Sequence, residues 1–229
     1  MDNILVLIIV LTLIAVLSYV PLIGPYFKLF NTMVHETGHA IAAILTGGRV
    51  KSISLFSNTG GLAITSHQGV IGRVITILAG YPTASLFSVL YVYALSEGLF
   101  NYIAMTLAVI LIYNLIFWVR NIIGWVWILS VLVVLYFLYT NHFWDAFEIS
   151  LTVIGLSLLI QAFLSTWVII AMSIKNKHQA GDATLLASTT KIPAVLWGGI
   201  FFLQGVVFFI IGIFVWLGFD LVTIFLTWL

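Results

Sequence analysis

The sequence predicts an all-α polytopic membrane protein of about seven transmembrane helices, with one small β-hairpin after the helix that carries an HExxH motif. Three observations predict it. The 229 residues are 63% hydrophobic and 7% charged, against roughly 25% charged in an ordinary soluble domain. The apolar residues fall in segments of about 20, the length that crosses a bilayer core as a helix. One stretch alternates polar and apolar residues up to an Asn58-Thr59-Gly60-Gly61 turn, the pattern of a hairpin.

Composition also excludes several classes. With 8 basic and 7 acidic side chains there is no basic stripe to neutralise a run of phosphates, so nucleic-acid binding is excluded. The chain has no cysteine, which removes disulfides and thiolate ligands and leaves imidazole and carboxylate to hold any metal. High hydrophobicity excludes intrinsic disorder.

The candidate spans are residues 4–23, 27–46, 70–94, 99–119, 122–140, 147–173 and 194–218. The first opens with Met1, Asp2 and Asn3, without a cationic n-region or a small-residue cleavage site, and reads as a retained anchor. Arg49, Lys51, Arg73, Arg120, Lys175, Lys177 and Lys191 fall on one side of these spans. The other side holds Lys28 with Glu97, Asp145, Glu148 and Asp220. The positive-inside rule makes the basic side cytoplasmic, with the N-terminus inside and the C-terminus outside.

Two polar stretches lie on that basic side. Residues 49–66 read as the hairpin, and residues 175–193 as a cytoplasmic loop with one short helix opened by Asp182 and closed before Pro193. The whole of 1–229 reads as a single membrane-embedded domain with no internal repeat.

The second span contains His35-Glu36-Thr37-Gly38-His39. On a helix, positions i and i+4 share a face, so both imidazoles reach one Zn²⁺ while Glu36 stands beside the metal-bound water as a base. Scattered at random, these residues would form the pattern in on the order of one in several hundred such chains, so it is specific. Three ionisable groups within a membrane helix are also expensive to insert and mark a functional site by default. If the helix ends near Gly47, His39 lies about 12 Å inside the cytoplasmic boundary.

A catalytic zinc takes a third protein ligand. The far side accounts for Glu97, His142, Asp145, Glu148 and Asp220, leaving His67, His178, Asp182 and, remotely, Asp2. Asp182 is preferred because its neighbours Ala180, Gly181 and Ala183 let the backbone fold back toward the bundle; the alternative is a helix N-cap. Asn114 is the candidate to hydrogen-bond a substrate backbone or an oxyanion, the alternative being a bond between helices. Arg120 and Asn121 read as an interfacial anchor.

HETGHAIAAILTGGRV over 35–50, the glycine-bearing turn SNTGG, AGYP over 79–82 and GDATLLASTTKIPAVLW over 181–197 resemble the site-2 protease family of intramembrane zinc metallopeptidases. The closer resemblance is to its compact bacterial branch without a PDZ domain. The resemblance implies Zn²⁺ on His35 and His39, Glu36 as base and an aspartate as third ligand. It also implies a zinc metalloendopeptidase of the bacterial plasma membrane, its active site toward the cytoplasm and its substrates transmembrane proteins cleaved in regulated intramembrane proteolysis. Well-studied members carry the third ligand in Asn-x-x-Pro followed by Leu-Asp-Gly, a pattern absent here; Asn114 and Arg120-Asn121 are the nearest analogues and bring no aspartate.

Two competing readings follow from the same residues. One is a catalytically inactive membrane scaffold or binding protein that retains a metal-site-like motif. The other is a zinc or proton transporter, disfavoured because the remaining spans offer too few polar groups for a path. Oligomeric state leaves no mark on the sequence.

Overall fold

The computed structural model describes residues 23–219 and, before them, residues 12, 16, 20 and 21. The expected first span and the residues Asp2 and Asp220 lie outside the described residues apart from those positions. The chain runs α1 (Ile23–Leu45), β1 (Arg49–Leu55), β2 (Gly61–Ser66), α2 (Gly69–Ser96), α3 (Phe100–Tyr113), α4 (Ile122–Thr140), α5 (Trp144–Lys175), α6 (Gly181–Thr190) and α7 (Ala194–Trp216). A π-helical turn, Asn114–Trp118, prolongs α3.

Among the described residues, five helices are long and apolar enough to cross a membrane: α2, α3 with its π turn, α4, α5 and α7. They match five of the seven expected spans. Helix α1 is 23 residues long, but Asn31, His35, Glu36 and His39 interrupt its apolar run. Large apolar side chains such as Ile71, Ile122 and Tyr136 are over two-thirds exposed, the surface an integral membrane protein presents to lipid.

Small residues bring the spanning helices together. On α7, Gly198, Gly205 and Gly212 recur every seven residues, two helical turns, so they form one stripe. A Cβ at these positions would lie 2.7 Å from Ser173, 2.2 Å from Thr166 and 2.5 Å from Leu159 of α5. That stripe lets the two backbones approach closely where no hydrophobic drive exists between helices in lipid. Gly38 serves α1 in the same way, since a Cβ there would meet Thr83 of α2 at 2.7 Å.

The hairpin forms where its alternation places it. β1 and β2 pair antiparallel, with Ile53 opposite Ala63 and Leu55 opposite Gly61. The hairpin turns back along α1, and at its tip Thr32 Oγ1 donates to the Thr59 carbonyl at 2.7 Å. Thr32 precedes His35 by one turn, so the strands lie beside the HExxH motif. Their backbone groups must then be satisfied by protein or face a cavity.

For β1 they are satisfied by protein. Ile53 bridges Val119, Arg120 N–H donates to the Ile53 carbonyl at 3.1 Å, and the Asn121 carboxamide accepts from Leu55 N–H at 3.1 Å and donates to its carbonyl. The Arg120 guanidinium meanwhile donates to the Phe117 and Val119 carbonyls at 2.7 and 2.8 Å. Arg120 and Asn121 therefore close the hairpin edge and the end of the π turn. Among the described residues, β2 has no strand on its outer side.

Candidate metal centre

His35 and His39 project from the same face of α1, as their spacing requires. Their Nε2 atoms lie 3.0 Å apart. Helix α6 carries Asp182 to meet them: its Oδ2 stands 3.2 Å from His35 Nε2 and 3.3 Å from His39 Nε2. Among the described residues these three are the one group of histidine and acidic side chains whose ligand atoms converge closely enough for a metal ion. Three atoms bound tetrahedrally at 2.0–2.1 Å would stand about 3.3–3.4 Å apart, so the triangle fits a Zn²⁺ ion.

Two further observations support the fit. Asp182 Oδ2 is buried and makes no hydrogen bond, although buried polar atoms ordinarily have one. His39 Nδ1 donates to the Thr76 carbonyl at 2.7 Å, which fixes the tautomer that leaves Nε2 free to ligate. Burial alone would raise the Asp182 carboxyl, but the two facing imidazoles outweigh it and hold it well below the usual carboxylate range. The group is thus an anionic donor at neutral pH. Asp182 is not the helix cap: the N-cap position is Ala180, without a side-chain capping bond, and Thr184 Oγ1 accepts from Ala180 N–H at 3.0 Å instead.

Helix α2 forms the wall behind the histidines. A Cβ on Gly80 would lie 2.5 Å from His35 Cε1 and 2.6 Å from His39 Cε1, so only glycine leaves room for both rings. Tyr81 packs its ring edge-to-face on His35 with centroids 4.6 Å apart. These contacts give the 79–82 stretch, quoted above only for its resemblance, a physical reason. Gly80, Thr76 and Tyr81 had no other signal in the sequence, because a backbone carbonyl and a missing side chain leave no chemical signature.

Glu36 is buried, and the hairpin holds it. The backbone N–H of Ala63 donates to its carboxylate, and a Cβ on Gly61 would come within 2.6 Å of Glu36 Oε1 and 2.7 Å of Thr32 Cγ2. The base therefore rests against the outer edge of β2. That edge, α1, α2 and α5 enclose a cavity of about 890 Å³ that holds His35, Glu36, His39 and Asp182, with Gln161, Ser165 and Val168 of α5 on its wall.

The other candidates are placed as follows. His67 lines the cavity but is not in the metal group; burial and the nearby Arg73 hold its imidazole below the usual value. His178 lies in the turn before α6, outside both the metal group and the cavity lining. Asn114 is 1% exposed and also outside the cavity lining. Its Oδ1 accepts from Thr37 Oγ1 at 3.2 Å and its Nδ2 donates to the Ile110 carbonyl at 2.9 Å. Its hydrogen bonds join the π turn to α1.

A helical membrane protein with a His-His-Asp metal group and a buried glutamate at its side defines a membrane metallopeptidase in class. The profile of the Peptidase M50B-like family matches residues 6–212, and the chain belongs to that family, which is site-2 protease-like. No curated protein and no solved structure is significantly similar to it.

Proposed function

We propose that the chain is a zinc metalloendopeptidase that hydrolyses peptide bonds in or near the transmembrane segments of membrane proteins, acting in regulated intramembrane proteolysis. The observation that carries this reading is the convergence of His35 Nε2, His39 Nε2 and Asp182 Oδ2 on a cavity that Glu36 also lines. In this reading His35, His39 and Asp182 hold Zn²⁺. Bound there, the ion would supply Lewis acidity.

The chain's own groups do the rest. Glu36 takes the proton of the attacking water and returns it to the leaving amine. The Thr76 carbonyl holds His39 in its ligating tautomer, and Gly80 keeps both rings in register. The oxyanion partner suggested for Asn114 would have to come from elsewhere while that carboxamide is bonded to Thr37 and Ile110; Asn114 instead positions α1. A transmembrane segment enters locally unwound, because a helical peptide bond is shielded by its own hydrogen bonds. The outer edge of β2, free of a strand, receives it by strand addition.

The basic side of the chain is taken as cytoplasmic, which puts the site toward the cytoplasm of a bacterial plasma membrane. The test compares the termini of membrane-protein fragments in cells carrying the wild type or Glu36→Gln. New termini inside membrane segments that need the wild-type protein support the proposal. Identical termini in both cells contradict it.

A further inference from the structure

Helix α1 carries one more polar side chain on the face that holds the histidines. Asn31, His35 and His39 recur every four residues and lie on one stripe. Asn31 lines the same cavity, is 7% exposed, and its Oδ1 is buried without a hydrogen-bond partner. The neighbouring hydroxyls of α1 are committed: Thr32 donates to the Thr59 carbonyl, and Thr37 shares its proton between the Met33 carbonyl and Asn114 Oδ1. A buried, unsatisfied carboxamide oxygen is costly, and an apolar side chain of equal size would avoid the cost. Its position on the cavity wall points to a ligand that satisfies it.

The chemistry of that ligand follows from the carboxamide. Oδ1 accepts and Nδ2 donates, the complement of the N–H and C=O that every peptide unit presents. Gly61, Ala63 and Thr65 of the β2 edge line the same cavity, so an extended chain on that edge passes Asn31. The point on which His35 and His39 converge lies about six residues of α1, or about 9 Å, from Asn31, and an extended strand advances about 3.3 Å per residue. The carboxamide therefore stands about two to three residues along the strand from the bond at the metal group.

We propose that Asn31 is a substrate-binding residue whose carboxamide hydrogen-bonds the backbone of the bound strand about two to three residues from the scissile bond. The proposal rests on the metalloprotease reading above. Because it addresses backbone atoms, it tolerates differing side chains in the substrate.

The experiment uses the full-length, zinc-loaded protein in detergent and three probes. Acetohydroxamate reads the metal alone; two tripeptide hydroxamates, extending from the chelating group in opposite chain directions, read the metal together with the strand site. In Asn31→Leu, one tripeptide probe should lose about tenfold in affinity, while acetohydroxamate binding and zinc content stay unchanged. The melting temperature should hold or rise, because a buried unpartnered polar group has been removed, and Asn31→Ala should show the same affinity loss. Undiminished binding of both tripeptide probes by the two variants overturns the proposal. So does an equal loss for all three probes with a fall in melting temperature, which marks a structural role. Failure of acetohydroxamate to bind the wild type overturns the metal reading, and this inference with it.

Discussion

His39 Nδ1 lies 2.7 Å from the carbonyl oxygen of Thr76, a contact that makes α2 part of the candidate metal centre although it offers no ligand. In the proposed zinc site this bond would orient a ligating ring from outside the coordination sphere, an arrangement whose loss costs about 10- to 100-fold in metal affinity. Thr76 Oγ1 in turn donates to the Gly72 carbonyl at 2.8 Å, which holds that turn of α2 in place.

Gly80→Ala is the direct test of this wall. The added methyl would stand 2.5 to 2.7 Å from His35 and His39, and backbone on one side leaves the rings to move. Zinc affinity should fall by about 10- to 100-fold, read by competition with a chromogenic chelator. Unchanged affinity would show that the rings do not depend on that gap.

Gly61→Ala tests the hairpin's hold on the base. Its Cβ would collide with Glu36 Oε1 and Thr32, so zinc content should be kept while kcat falls by about tenfold or more. A loss of zinc instead would mean that the hairpin supports the histidines and not Glu36.

Glu36→Gln removes the proton acceptor and keeps the shape. General-base catalysis is worth about 10²- to 10⁴-fold, and cleavage should drop by that range with about one zinc per chain retained. Residual cleavage near the wild-type rate would remove Glu36 from the mechanism.

Strand addition makes a prediction at β2. Ile53 and Leu55 turn their backbone groups outward to residues 119–121, so by antiparallel alternation Gly61, Ala63 and Thr65 turn theirs to the cavity. Thr65→Pro removes one outward N–H and should weaken cleavage with the fold and zinc content intact. Ser52→Pro and Ser54→Pro instead remove N–H groups that pair with β2, and should melt the hairpin, seen as protease sensitivity in its turn. Full cleavage by Thr65→Pro would rule out pairing at that position.

The geometry of the candidate site was legible where it depends on spacing. HExxH places two rings and a carboxylate from a period of 3.6 residues, and Asp182 was reached by asking which acidic groups share the metal's side of the membrane. The short helix before Pro193 was legible too, from its polar opening. What the spacing did not show was Asp182 sitting inside the first turn of that helix, which has no side-chain capping bond, with its carboxylate facing the two histidines. The hairpin illustrates the same limit. Alternation in 50–55 announces a strand with one buried face but not what buries it, and the partners of β1 at residues 119–121 are more than sixty positions away. Asn114 carries no local sign that α3 widens into a π turn there, so its bond to Thr37 was invisible from sequence.

The most direct test of the central claim is the zinc content of the detergent-purified protein, wild type beside His35→Ala, Asp182→Ala and Glu36→Gln. The predicted result is about one zinc per chain in the wild type and Glu36→Gln, lost from His35→Ala and Asp182→Ala. A folded wild type that binds no zinc, or an Asp182→Ala variant that keeps it, would contradict the account.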